Sequence, residues 1–197
     1  MRVLVLVAHP HAEGFAHAVR ASAVAGLSRA GHKVRVLDLH REGFDPVMSH
    51  DERQRYHTPG ANETRVADQL ELLRWAEGLI FVYPTWWYSL PAMLKGWMDR
   101  VLVPFATFDL PKGLRPIRGK LDNIRVIGGF STYGSPSWWI HLVVGDLGRA
   151  IIMRGLRPLC HRRCQTFWLG HYRMDSSTPK SRKAVLARVE ALAASLS

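Results

Sequence analysis

The stretch "YPTWWYSLPAMLKGWMDRV" (83–101) carries two tyrosines and three tryptophans, with Trp86 and Trp87 adjacent. It falls where an apolar run gives way to a helical pattern, a place ordinarily filled by small polar residues. Such a pair either plugs the core locally or offers a wall to a flat aromatic ligand. A second loop, "GGFSTYGSPSWW" (128–139), mixes glycines, hydroxyls and rings. Small residues admit a planar ligand close to the backbone, and rings stack on it or meet its edge. Alone, the same residues read as a tight turn before a helix capped by Ser137. A third loop, "HPHAEGFAHA" (9–18), lacks both the GxGxxG fingerprint and a Walker lysine. A helix opening near Gly14-Phe15 still presents unpaired N–H groups and a positive dipole end to a phosphate. An ordinary helix start, with Glu13 favouring the dipole, explains that loop equally well.

Metal chemistry is not expected. His9, His11 and His17 form no i, i+4 pair and have no partnered carboxylate spacing. Around Cys160 and Cys164 only His161 and His171 are near, short of the two ligand pairs a structural zinc site takes. Strand alternation would put both cysteines on one face, as small apolar groups of the core.

Alternating strand and helix signals must position these loops. "RVLVLVA" (2–8) is an apolar run suited to a strand covered on both faces. A proline-free, Ala-rich helix is expected over 15–31, a strand over 32–39, and a long polar loop over 40–62. A helix follows over 63–78, with Val66, Leu70, Leu73 and Trp75 at helical spacing, and then a strand over 79–84. Pro91 suits the first turn of a helix over 90–103. A strand over 123–130, a helix over 137–155, a strand over 163–170 and an amphipathic helix over 179–196 complete the chain. This alternation predicts an α/β fold, a doubly wound five-stranded parallel sheet with helices on both faces. Ligands bind such sheets beyond the carboxyl ends of the strands, which places the site in loops 9–15, 84–90 and 130–137.

The 197 residues suit a single domain over 1–197, and 47% apolar residues supply a core. No apolar run approaches the ~18 residues of a membrane span. Two cysteines and no export signal point to a reducing, cytoplasmic setting. The net charge is +11, and from Lys112 to Arg188 there are 15 Lys/Arg against three acids, Asp122, Asp146 and Asp175. Such a surface favours anionic partners. The basic residues are scattered without a nucleic-acid motif, and no nucleic-acid partner is expected.

"AHPHAEGF", "YPTWWYSLPAMLKGWMDRV" and "STYG", in this order and spacing, resemble the flavodoxin-like NAD(P)H:quinone oxidoreductases, including the drug-activity-modulator type and the ancillary proteins of potassium-efflux systems. The likeness runs over nearly the whole chain. Pro84, Trp86, Trp87, Ser89, Pro91, Leu94, Lys95, Gly96, Asp99 and Arg100 all match the family pattern. The resemblance implies bound FAD or FMN, NAD(P)H as co-substrate, a homodimer, and ping-pong two-electron reduction of quinones or similar acceptors. It assigns His9, Gly14 and Phe15 to the flavin phosphate end, and Pro84, Thr85, Trp86 and Trp87 to the isoalloxazine. Ser131, Thr132, Tyr133 and Gly134 take its other edge, with Tyr133 and His141 as the catalytic residues. Gly14 and Ala16 stand where the family commonly has Ser and Asn, which leaves backbone N–H groups and His9 for the phosphate. Two other roles accompany the resemblance. One is an ancillary subunit of a membrane transport system, with a peripheral membrane-protein partner. The other is a flavodoxin-like electron carrier, which the basic charge disfavours.

Overall fold

The computed structural model describes residues 1–111, 113 and 116–196. Its centre is a parallel sheet of β1 (Arg2–Val7), β2 (Lys33–Asp38), β3 (Gly78–Pro84), β6 (Val126–Thr132) and β7 (Gln165–His171), in the order β2-β1-β3-β6-β7. Chain direction across the sheet reverses between β1 and β3, the switch point of a doubly wound sheet. The register runs Val7↔Val82 between β1 and β3 and Pro84↔Thr132 between β3 and β6. The loops that follow β1, β3 and β6 therefore leave the same edge.

Alternation along β1 feeds two cores, because successive side chains point to opposite faces. Val3, Val5 and Val7 pack with Ala16, Val19, Ala23 and Leu27 of α1 (Phe15–Arg29) and with Val185 and Val189 of α6 (Pro179–Ala194). Leu4 and Leu6 face Leu70 and Leu73 of α3 (Ala67–Trp75) and Leu94 and Trp97 of α4 (Ala92–Val101). The α1–α6 contact is close enough to require glycine: a Cβ on Gly26 would stand 2.2 Å from the Glu190 carbonyl oxygen. The five strands with helices on both faces agree with the fold expected from the sequence. No helix among the described residues is long and apolar enough to cross a membrane.

Several local expectations need correction. The expected loop over 40–62 contains α2 (His50–Arg55), held by a capping box in which Ser49 and Glu52 satisfy each other's backbone N–H. This segment straps α4: Gly96 packs on Pro46, and Arg100 pairs with Glu52 at 2.6 Å. The helix expected over 63–78 is a 3-10 turn (Thr64–Val66) leading into α3, and Gly78 already belongs to β3. A small antiparallel pair, β4 (Phe108–Asp109) with β5 (Arg118–Gly119), lies where no strand was expected. Ser137 is not an N-cap but the first helical residue, after Pro136. The helix expected over 137–155 is broken. A π-helical turn (Trp139–Val144) ends at Gly145 (φ 86°) and Asp146 (φ 46°), both left-handed, before α5 (Leu147–Ala150) and a second π-helical turn (Ile151–Leu156). The break turns the Asp146 carboxylate inward. Cys160 and Cys164 precede β7 rather than lying in it, but both are buried and free, as core groups.

Candidate active site

The loop after β1 leads into α1 through Gly14, whose extended backbone (φ −63°, ψ 151°) is capped by no side chain, and no acid stands in the first turn. Gly14 N–H donates to the His11 carbonyl and His17 N–H to the Gly14 carbonyl, each at 2.9 Å, which leaves the Phe15 and Ala16 N–H groups without an acceptor among the described residues. Glu13 lies before the cap rather than in the helix. Glycine is needed at position 14 because a Cβ would meet His9 Cε1 at 2.3 Å. His9 Nδ1 is held against the His11 backbone at 3.0 and 3.2 Å, which leaves Nε2 as its free nitrogen. His17 anchors the same loop, with Nε2 3.3 Å from the His9 carbonyl and Nδ1 3.7 Å from Asp38 Oδ2. The Phe15 ring stands 5.6 Å from the buried ring of His171, whose Nε2 has no partner among the described residues. Burial, then the Arg182 charge, pushes the His171 imidazole below its ordinary value beside the helix end.

The loops after β3 and β6 are pinned together. Thr85 N–H donates to the Thr132 carbonyl (2.7 Å), the Thr85 and Ser131 hydroxyls meet at 2.9 Å, and Ser131 donates to the Tyr83 carbonyl at 3.0 Å. On this base stands a two-residue turn closed by Trp86 N–H to Ser89 O (3.2 Å) and Ser89 N–H to Trp86 O (3.0 Å). Its central residues, Trp87 (φ 47°) and Tyr88 (φ 61°), are both left-handed. Such a turn is normally built from Gly, Asn or Asp, and a bulky residue there is strained by about 1–2 kcal/mol. The rings gain little inside the chain: Trp86 is 45%, Trp87 94% and Tyr88 36% exposed. They are not a core plug. Between this turn and the β6 loop lies a cleft of about 240 Å3, lined by Thr85, Trp87, Tyr88, Tyr133, Gly134 and Ile140.

Behind the cleft, Tyr133 is buried and its hydroxyl points inward. It donates to Asp146 Oδ1 and accepts from Trp168 Nε1, each at 3.0 Å. Burial first, then the Asp146 charge, drives this phenol far above its ordinary value. Its ring stacks on Tyr172 at 4.7 Å, and the Tyr172 hydroxyl meets His141 Nε2 at 2.9 Å. His141 Nδ1 in turn lies 4.0 Å from Asp146 Oδ2. Asp146 therefore orients a buried phenol with one oxygen and faces a half-exposed imidazole with the other.

The structure brings His9, Gly14 and Phe15 together at the α1 terminus, and Thr85, Trp87, Tyr133 and Gly134 around the cleft; the Trp86 ring lies 6.3 Å from that of His9, and Thr132 holds the base of the turn through its carbonyl. Pro84 and Ser131 are buried at the strand ends, beneath the loops rather than on their surface. His141 is half-exposed beside Tyr172 and is not among the residues that line the cleft. Sequence reasoning missed Asp146 and Tyr172. The Gly145-Asp146 pair, a poor choice for a helix interior, was the available signal.

A profile of the flavodoxin-like fold matches residues 1–139. The chain is 38% identical over 117 residues to the ribosyldihydronicotinamide dehydrogenase-like protein of Penicillium crustosum, covering 51% of this chain and 43% of that protein. It is 34% identical over 148 residues to the Homo sapiens ribosyldihydronicotinamide dehydrogenase (quinone), covering 65% of this chain and 63% of that protein. The matched part thus spans less than two thirds of these curated relatives. Among solved structures it resembles the NAD(P)H:quinone oxidoreductase from Methanothermobacter marburgensis, with TM-score 0.84 and 26% identity over 100% of this chain and 99% of that one.

Proposed function

The chain belongs to the flavodoxin-like NAD(P)H:quinone oxidoreductase family, and from that premise we propose that it is a flavin enzyme carrying hydride from NAD(P)H to quinone-like acceptors by a ping-pong route. The observation that carries the reading is the Trp87-Tyr88 turn, strained and exposed beside an uncapped helix terminus on one sheet edge. Strain of this kind persists where function uses the conformation.

The residues fit FAD or FMN. The α1 terminus, with backbone N–H groups, His9 and no acid, suits a phosphate. The cleft between the turn and Tyr133-Gly134 suits one edge of a tricyclic ring. Bound there, the flavin supplies the two-electron chemistry, and the protein supplies position and field. Trp86 and Trp87 wall the ring from water, and Thr85 sets the height of that wall through its bond to Thr132. The Tyr172 hydroxyl, 2.9 Å from His141 Nε2, is the proton donor for a reduced acceptor. Tyr133, locked by Asp146 and Trp168, acts as a positioning residue beneath it.

Trp86, Trp87, Trp138, Leu142 and Val143 crowd exposed rings and alkyl groups around this edge. A second copy of the chain covers them and completes the pocket, which makes the working form a homodimer. The decisive experiment reconstitutes the protein with FMN and with FAD, then adds NADPH or NADH without oxygen. Bleaching of the flavin bands, and their return on adding a small quinone, is expected. A protein that takes up neither flavin at high micromolar concentration overturns the reading.

A further inference from the structure

Asp146 borders a second depression, a groove of about 840 Å3 between the broken helix and β7. Arg149, Arg154 and Arg157 line it from the helical side, with Phe167 and Trp168 across from them. The arginines fall there by helical spacing, while Ile152 and Leu156 on the neighbouring stripe are buried in the core. Arg157 is tethered, with Nη2 donating to the carbonyls of Arg162 (3.1 Å) and Cys164 (3.2 Å). Arg149 and Arg154 are exposed. The sequence holds no acid between Asp146 and Asp175, and Asp146 is the one acid among the residues that line the groove.

A second, independent feature marks the groove. Asp146, only 6% exposed, has one oxygen, Oδ2, without a hydrogen-bond partner among the described residues, its neighbour His141 Nδ1 standing 4.0 Å away. An unpaired buried carboxylate oxygen is costly, and a donor arriving at the groove floor would offset that cost. The groove also communicates with the proposed site. His141 lines it, and the Arg149 charge is felt at the Tyr172 hydroxyl, where it works against the upward push of burial and Asp146.

Cationic groups, the Trp168 ring and a hydrogen-bond acceptor on a groove floor match a nucleotide: phosphates, base and sugar hydroxyl. We propose that this groove receives the phosphorylated adenosine half of a dinucleotide hydride donor, with Arg149 and Arg154 on its phosphates. The proposal rests on the reading of the neighbouring cleft as the hydride-transfer site. It separates two donors that the relatives' names bring together, because ribosyldihydronicotinamide lacks the adenylyl half and has nothing to place there.

The test compares the wild type with an Arg149→Gln/Arg154→Gln variant, using NADPH and ribosyldihydronicotinamide as donors to the flavin-loaded enzyme. The variant is expected to raise KM for NADPH about tenfold or more, as loss of charge-assisted phosphate contacts does, while KM for the truncated donor stays unchanged. Equal losses with both donors, or no loss with either, overturn the proposal. A readout that needs no turnover is binding of 2′,5′-ADP to flavin-free protein, followed by calorimetry. Saturable binding to the wild type that weakens about tenfold in the variant supports the groove even if neither donor reduces the flavin, an outcome that sinks the oxidoreductase reading alone. Absence of 2′,5′-ADP binding to a folded wild type overturns the groove.

Discussion

At the scale of single residues, Trp87 carries a conformational penalty without a packing return. Removing its ring should therefore leave the flavin-free fold almost untouched: Trp87→Ala is expected to change stability by no more than about 0.5 kcal/mol, as exposed substitutions do. Trp87→Gly should go further and stabilise the apo protein by about 1 kcal/mol, because glycine adopts a positive φ without strain. Both variants should lose most of the rise in melting temperature that added flavin gives, since ligand stabilisation follows occupancy. Melting curves with and without flavin check this, and an unchanged flavin-dependent shift would show that the ring is no wall. Asp146 is the opposite case, a group whose exposure is slight and whose contacts are many. Asp146→Asn keeps the shape but removes the charge facing His141. The protein is expected to fold, bind flavin, and lose turnover more than KM, with an altered pH profile. A variant that merely unfolds early, with kcat unchanged once folded, would make Asp146 a structural residue.

At the scale of elements, the strands were legible because β1, β3 and β6 are apolar on both faces, and a run such as "RVLVLVA" admits few other readings. Their order followed from the alternation with helices, and with it the edge where the loops gather. The strap was not legible by hydrophobic pattern, since α2 buries none of its residues. Its signature was chemical, the Ser49-x-x-Glu52 capping box ahead of a polar turn. The Tyr133–Asp146 bond was beyond local reading altogether, as it depends on a helix break that only tertiary placement explains. What the strap does can be measured. Burial alone pushes the Glu52 carboxyl up, but the Ser49 N–H and the Arg100 guanidinium outweigh it and hold it below the ordinary 4.5. A carboxyl depressed in the folded state contributes stability above its unfolded pKa, and that contribution is lost as pH falls through the folded value. Arg100→Gln should cost about 1–2 kcal/mol by removing the charged partner of a half-buried carboxylate, and the cost should shrink in acid as Glu52 takes up its proton. Urea titrations at neutral pH and near pH 4 test the sign. A penalty that grows in acid would show that the pair does not hold the strap.

At the scale of the whole molecule, two surface properties oppose each other. The apolar cluster around the site, with Leu142 82%, Val143 56% and Trp138 56% exposed, favours association. A net charge of +11 on each copy resists it. Their balance predicts how the proposed dimer answers to salt. An apolar interface between like-charged bodies should tighten as salt screens the repulsion, most strongly as the Debye length falls from about 30 Å at 0.01 M to about 10 Å at 0.1 M. An interface built on ion pairs would weaken over the same range. Sedimentation at both ionic strengths should accordingly show a larger dimer fraction at the higher one. Leu142→Glu, which places a charge in the apolar cluster without touching the buried core, should shift the chain to monomer. If the partner completes the pocket, that monomer should also lose flavin affinity, and raising its concentration should restore both together. A monomer with full flavin affinity and full turnover would mean that each copy holds its site alone, and the exposed tryptophans would then serve the ligand rather than the partner.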